Sequence, residues 1–184
     1  MRSYRDPKAV AEDILSRAGS PRLENGSAID VRGILERFCG FQVAIVPNLN
    51  LGRPLLAAFI PSDNLVMVEH HCIPVRQRFS MAHELGHAQL ENDFGDSEML
   101  IPVQQQTFFR CGESDIEIRD EKSAGLKRRA EIRANQFAAA LLMPQALVRE
   151  VWKLHRDERR CADALEVSNQ SMHYRLIEIG LISE

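Results

Sequence analysis

Paired cysteines are missing from this chain. Cys39, Cys72, Cys111 and Cys161 lie far apart and form no Cys-x-x-Cys, which sets aside a disulfide framework and a structural zinc knot and suits reduced thiols. Long apolar runs are missing too. The longest, Phe137 to Met143, falls far short of the ~20 residues that cross a bilayer. The N-terminal stretch Met1-Arg2-Ser3-Tyr4-Arg5-Asp6 leads into a charged helical pattern and lacks the apolar core of a signal peptide. The expectation is a cytoplasmic protein with no membrane segment. There is no excess of positive charge either: a net charge of -3 argues against a generally basic nucleic-acid surface.

What is present is an ordinary globular composition, 45% apolar and 27% charged over 184 residues. That length fits one domain with a small appendage, and buries roughly 70% of the unfolded surface without help from a metal. The stretch around which the chain is organised is Arg78-Phe79-Ser80-Met81-Ala82-His83-Glu84-Leu85-Gly86-His87-Ala88. On a helix, His-Glu-x-x-His puts both imidazoles one turn apart on one face with the carboxylate beside them. Two neutral imidazoles can hold Zn²⁺ and leave room for a third protein ligand and a water. Glu84 is then placed to take a proton from that water. Pro74 can open this helix, Phe79, Met81, Leu85 and Ala88 supply apolar positions, and no proline interrupts it from Val75 to Leu90. The bland alternative is a buried helix whose histidines are satisfied by hydrogen bonds.

Upstream, Asp6-Pro7 marks a helix start, with Val10, Ile14, Leu15 and Ala18 on one face until Gly19. Asp30 caps a second helix that carries Val31, Ile34, Leu35 and Phe38 to Gly40. Three strand-like runs follow, Phe41 to Val46, Leu55 to Ile60 and Leu65 to Val68, the last two joined by the turn cluster Pro61-Ser62-Asp63-Asn64. Such a sheet either backs the metal helix or offers an edge to an extended peptide. Glu69-His70-His71-Cys72 reads as a surface connection, since adjacent histidines point in different directions and no partner cluster follows at ligand spacing.

From Glu91 to Arg129 the periodicity weakens, with Gly95, Pro102, Gly112 and Gly125, and only Thr107-Phe108-Phe109 promises a strand. A connection this long reads as a lid over the metal. Regularity returns at Ala130, and Ala134, Phe137, Ala138, Leu141 and Leu142 form one stripe before Pro144. Glu131 and Asn135 sit on that helix at i, i+4. They fit either a third ligand with its orienting amide or an exposed glutamate favoured by the helix dipole. Beyond Pro144 come a helix with Leu147, Val148, Val151 and Trp152, then Cys161 to Leu165, a break at Glu166-Val167-Ser168, and a last helix with Met172, Leu176 and Ile179. The last two resemble a helix-turn-helix. Mixed charge favours a solvated face over DNA reading, so no specific nucleic acid is expected.

Three blocks together resemble the ImmA/IrrE family of bacterial zinc metallopeptidases. They are Arg76 to His87, Glu131-Ile132-Arg133-Ala134-Asn135 through Met143-Pro144, and Val167 to Leu176 with the following Ile179-Gly180-Leu181. The resemblance implies a small zincin-like α+β domain over residues 1–144, in which a three-stranded sheet backs the His-Glu-x-x-His helix. A helical segment, 145–184, packs on it. It implies His83, His87 and Glu131 as ligands of Zn²⁺, with Mn²⁺ or Fe²⁺ as substitutes, Glu84 as the catalytic base, and Asn135 behind a ligand imidazole. It also implies a protein substrate of the helix-turn-helix repressor class, cut or acted on in stress responses. One departure is Arg133, where the family often has a second Glu. Candidates for stabilising an oxyanion are His71, His173 and Tyr174. The rival readings are a metal-containing regulator that binds repressor or DNA without turnover, and a toxin-antitoxin component.

Overall fold

The computed structural model describes residues 5–20, 22, 26–49, 56–90 and 121–183. Helix α1, Pro7–Arg17, opens on Asp6, whose side chain accepts from the Lys8 N–H at 3.1 Å. Asp30 likewise accepts from the Gly33 N–H at 2.9 Å and starts α2, Val31–Gly33, which continues as a π-helical turn over Ile34–Phe38. Gly33 leaves room for the ends of the Asp30 and Arg37 side chains, which pair across the turn where a Cβ would otherwise lie.

Strands β1 (Gln42–Val46), β2 (Ala57–Ile60) and β3 (Leu65–Glu69) form a sheet in the order β1-β3-β2. β1 runs parallel to β3, and β2 forms an antiparallel hairpin with β3 through a 3₁₀ turn, Pro61–Asp63. Asn64 takes the left-handed conformation that closes the turn, at φ 48. Period-2 alternation puts Ala57 and Phe59 opposite Val68 and Val66 on the buried face. The fold is thus α+β, with a three-stranded sheet and a helical C-terminal half: α3 (Pro74–Leu90), α4 (Glu121–Leu142), α5 (Gln145–His155), α6 (Glu158–Leu165) and α7 (Asn169–Glu178). One core joins both halves, from Ile14 and Leu35 through Val66 and Leu85 to Leu141, Val148, Leu165 and Met172. Among the described residues no helix is long and apolar enough to cross a membrane.

Helix α4 corrects one expectation, because it begins at Glu121 and not at Ala130. The segment Glu121 to Arg129 is built from helix formers, and a single Gly125 costs only ~1 kcal/mol. Gly125, Arg128 and Arg129 are exposed, so these positions add nothing to an apolar stripe. The remainder of the expected lid, 91–120 with Thr107 to Phe109, lies outside the described residues.

Glu69, expected on a surface connection, is instead a buried end of β3. It accepts from the His71 N–H at 3.0 Å, the Leu49 N–H at 2.7 Å and His71 Nδ1 at 2.8 Å. Those bonds hold its carboxyl down at about 2. A depressed carboxylate pKa stabilises the fold above the unfolded value near 4.5, and that stability drains away as the pH falls toward 2. We therefore expect acid unfolding of Glu69→Gln, followed by circular dichroism, to show a shallower loss between pH 4.5 and 2 than the parent. Superimposable pH profiles would remove Glu69 from this role.

Candidate metal centre

Helices α3 and α4 face each other closely, and a glycine sets the distance. A Cβ built on Gly86 would lie 3.0 Å from Phe137 Cδ1, 3.1 Å from Ala134 Cα and 3.2 Å from Ala134 O. Two of those neighbours are backbone, which cannot swing aside. Ala134 lies between Glu131 and Asn135 on α4, as Gly86 lies between His83 and His87 on α3. The small pair therefore lets side chains from both helices meet.

They meet at one point. His83 Nε2 is 3.0 Å from Glu131 Oε2 and 3.0 Å from His87 Nε2, and His87 Nε2 is 3.1 Å from the same Glu131 oxygen. Behind His83, its Nδ1 stands 2.9 Å from Asn135 Oδ1. That amide oxygen only accepts, so Nδ1 carries a proton, and in the neutral ring Nε2 is then the nitrogen with a lone pair toward the other two atoms. Three such atoms converging at 3.0 to 3.1 Å need either shared protons or a cation among them. Ligands about 2.0 Å from one tetrahedral ion stand roughly 3.3 Å apart, so the donor set fits a small divalent cation. Among the described residues it is the one such cluster of His, Cys, Asp or Glu.

Electrostatics fits the same use. Burial works to raise the Glu131 pKa, but the hydrogen bonds and charges of His83 and His87 outweigh it and hold the carboxyl below its usual range. Glu84 goes the other way. Desolvation pushes its pKa up, against the pull of His83, His87 and a hydrogen bond from the Phe59 N–H, with the negative Glu131 adding to the rise. Phe59 is on β2, and its backbone direction follows from the ladder. Glu69 N–H donates to Leu56 O at 2.9 Å, so Ala58 and Ile60 also bond to β3 while Ala57 and Phe59 turn outward. Among the described residues β2 is an edge strand, and its outward-facing backbone lies against the carboxylate beside the metal ligands.

The structure brings His83, Glu84, His87, Glu131 and Asn135 together. It does not add the other candidates to the cluster: His71 is held by Glu69, His173 by Glu158 at 2.9 Å, and Tyr174 is 62% exposed. The roles of Gly86 and of the Phe59 N–H were not read from the sequence. Gly86 was visible as the small residue inside His-Glu-x-x-His. A backbone donor leaves no trace in residue identity.

Comparison with known proteins extends this geometry. The family model described as the IrrE N-terminal-like domain matches residues 104–177, which takes in α4 to most of α7 and leaves out α3. The radiation response metalloprotease IrrE of Deinococcus radiodurans is 31% identical over 180 residues, covering 94% of this chain and 49% of that protein. The chain belongs to the ImmA/IrrE family. It spans about half the length of this curated relative. A Mycobacterium tuberculosis transcriptional regulator shares the fold at 20% identity and a TM-score of 0.62, over 94% of this chain and 47% of that one. Against the ImmA/IrrE pattern, Arg133 is taken up elsewhere: its Nη2 donates to Arg5 O at 2.9 Å, while Glu131 turns to the histidines.

Gly86→Ala should leave every donor atom in place and still weaken the site, because α3 and α4 must part by a few tenths of an ångström. We expect a loss of metal affinity on the scale of roughly 10 to 100-fold that follows removal of a supporting contact. Competition with a chromogenic chelator measures it, and parental affinity in the variant would rule out a spacing role.

Proposed function

We propose that this protein is a metal-dependent endopeptidase that hydrolyses a peptide bond in a cytoplasmic protein substrate, a helix-turn-helix transcriptional repressor, and so relieves repression. The observation that carries this reading is the convergence of His83 Nε2, His87 Nε2 and a Glu131 oxygen, with Asn135 behind His83, beside the Glu84 carboxylate. His83, His87 and Glu131 would hold the metal, with zinc as the best match to two imidazoles and one carboxylate. When bound, such an ion supplies Lewis-acid chemistry, polarising a carbonyl and making a water more acidic.

The chain's own residues do the rest. A Glu84 oxygen takes a proton from the attacking water and returns it to the leaving amine nitrogen. The raised pKa of Glu84 suits the first half of that transfer, since it makes the carboxylate a stronger base toward the water. The Phe59 N–H holds the carboxylate in place, and the outward edge of β2 offers backbone groups to an extended substrate. Residues 1–144 would form the peptidase unit and 145–184 its packed helical segment.

DNA reading by α7 has little to support it. Its single Lys or Arg is Arg175, which is buried against the Met143 carbonyl and leaves no such cation for a phosphate. The test is incubation of the zinc-loaded full chain with the repressor encoded nearest to it, with products read by mass spectrometry. Site-specific cleavage that stops on chelation supports the proposal. Tight binding of the repressor with no cleavage at any metal load would replace it with the non-hydrolytic regulator.

A further inference from the structure

Two buried arginines tie the α6–α7 pair to the two helices that carry the converging donors. Arg78 of α3 has a side chain only 9% exposed. Its Nη2 donates to Ile29 O at 2.9 Å, and its Nε donates to Glu166 O at 3.3 Å while standing 3.5 Å from the Glu166 carboxylate. Glu166 is the left-handed C-cap of α6, at φ 51, so it forms the turn between α6 and α7. Arg175 of α7 has a side chain 6% exposed. Its Nε donates to Met143 O at 3.0 Å, just past the end of α4, and its Nη1 to Glu178 at 2.6 Å. Glu178 in turn pairs with Lys8 of α1.

A guanidinium taken out of water is costly unless its partners are fixed, so each buried arginine favours one arrangement of the elements around it. Arg78 joins the turn to α3, and Arg175 joins α7 to the end of α4. Each ligand-bearing helix is therefore held twice. They touch each other through Gly86 and Ala134, and each is fastened to the same helical pair away from that contact.

We propose that α6–α7 is a clamp for the metal centre, and that Arg78 and Arg175 are positioning residues that set how α3 and α4 present His83, His87 and Glu131. This rests on the metal-site reading above. The clamp gives the helix-turn-helix-like pattern a use that needs no DNA. It also makes the coupling reciprocal: if docking of α6–α7 tightens metal binding, metal binding tightens α6–α7 by the same factor.

The test uses the full chain and Zn²⁺ alone. Hydrogen exchange with and without Zn²⁺ should show metal slowing exchange in α3 and α4 and also from Ala162 to Gly180, which contains no proposed ligand. Chelator competition should show Arg78→Met and Arg175→Met losing roughly 10 to 100-fold in affinity, with Arg78→Lys restoring part of the loss by keeping a buried cation near Glu166. Unchanged affinity in folded Met variants would overturn the clamp. If either variant fails to fold, the parent's exchange decides, and metal-independent exchange from Ala162 to Gly180 overturns it equally. Zinc bound tightly without coupling sinks the clamp alone, whereas a parent chain that binds no zinc sinks the metal site with it.

Discussion

Glu84→Gln is expected to keep its metal and lose peptide hydrolysis by about 10²–10⁴-fold, the contribution of a positioned general base. The substitution preserves the shape of the side chain and an oxygen that can still accept from the Phe59 N–H, so β2 has no reason to move. What disappears is the group that takes the proton. Stability should not suffer, because the carboxylate is penalised by desolvation and a neutral amide is not. Metal content by mass spectrometry, a thermal melt and a cleavage assay on one preparation separate these effects. Cleavage at the parental rate would mean that another group accepts the proton.

How much of this was legible in the sequence depended on whether a feature is carried by residue type or by backbone placement. Helix starts at Asp6 and Asp30, the stop at Pro144 and the hairpin turn at Pro61 to Asn64 all followed from side-chain chemistry. The pairing of His83 with His87 followed from helical period alone. Glu131 did not: its spacing to Asn135 left an exposed glutamate open, and the family pattern was needed to favour it. The reason is that its partners are 44 and 48 residues away, on another helix. The start of α4 was misplaced because periodicity reports burial, and Gly125, Arg128 and Arg129 are exposed. No role for Arg78 or Arg175 was read from the sequence. Nothing in a single sequence marks a cation that will end up under a turn formed about 90 residues later.

Glu131→Ala is expected to cost more metal affinity than any other single change on α4, because it removes a donor and not a support. Two imidazoles from one turn of α3 would remain, with His83 Nε2 and His87 Nε2 still 3.0 Å apart but with no negative charge facing them. Asn135→Ala removes only the acceptor behind His83 Nδ1, so the imidazole keeps its place in the cluster and loses its fixed tautomer. Its expected loss is roughly 10 to 100-fold. Glu131→Gln should fall between the two, since it keeps an oxygen of similar reach and loses the charge. Chelator competition on the three variants therefore predicts the order Glu131→Ala, Glu131→Gln, Asn135→Ala, from largest loss to smallest. Full affinity in Glu131→Ala would exclude it as a ligand. Glu69 could not then replace it without giving up the Leu49 and His71 hydrogen bonds that hold the end of β3, so a compensating shift would appear as a loss of acid stability in the metal-loaded variant.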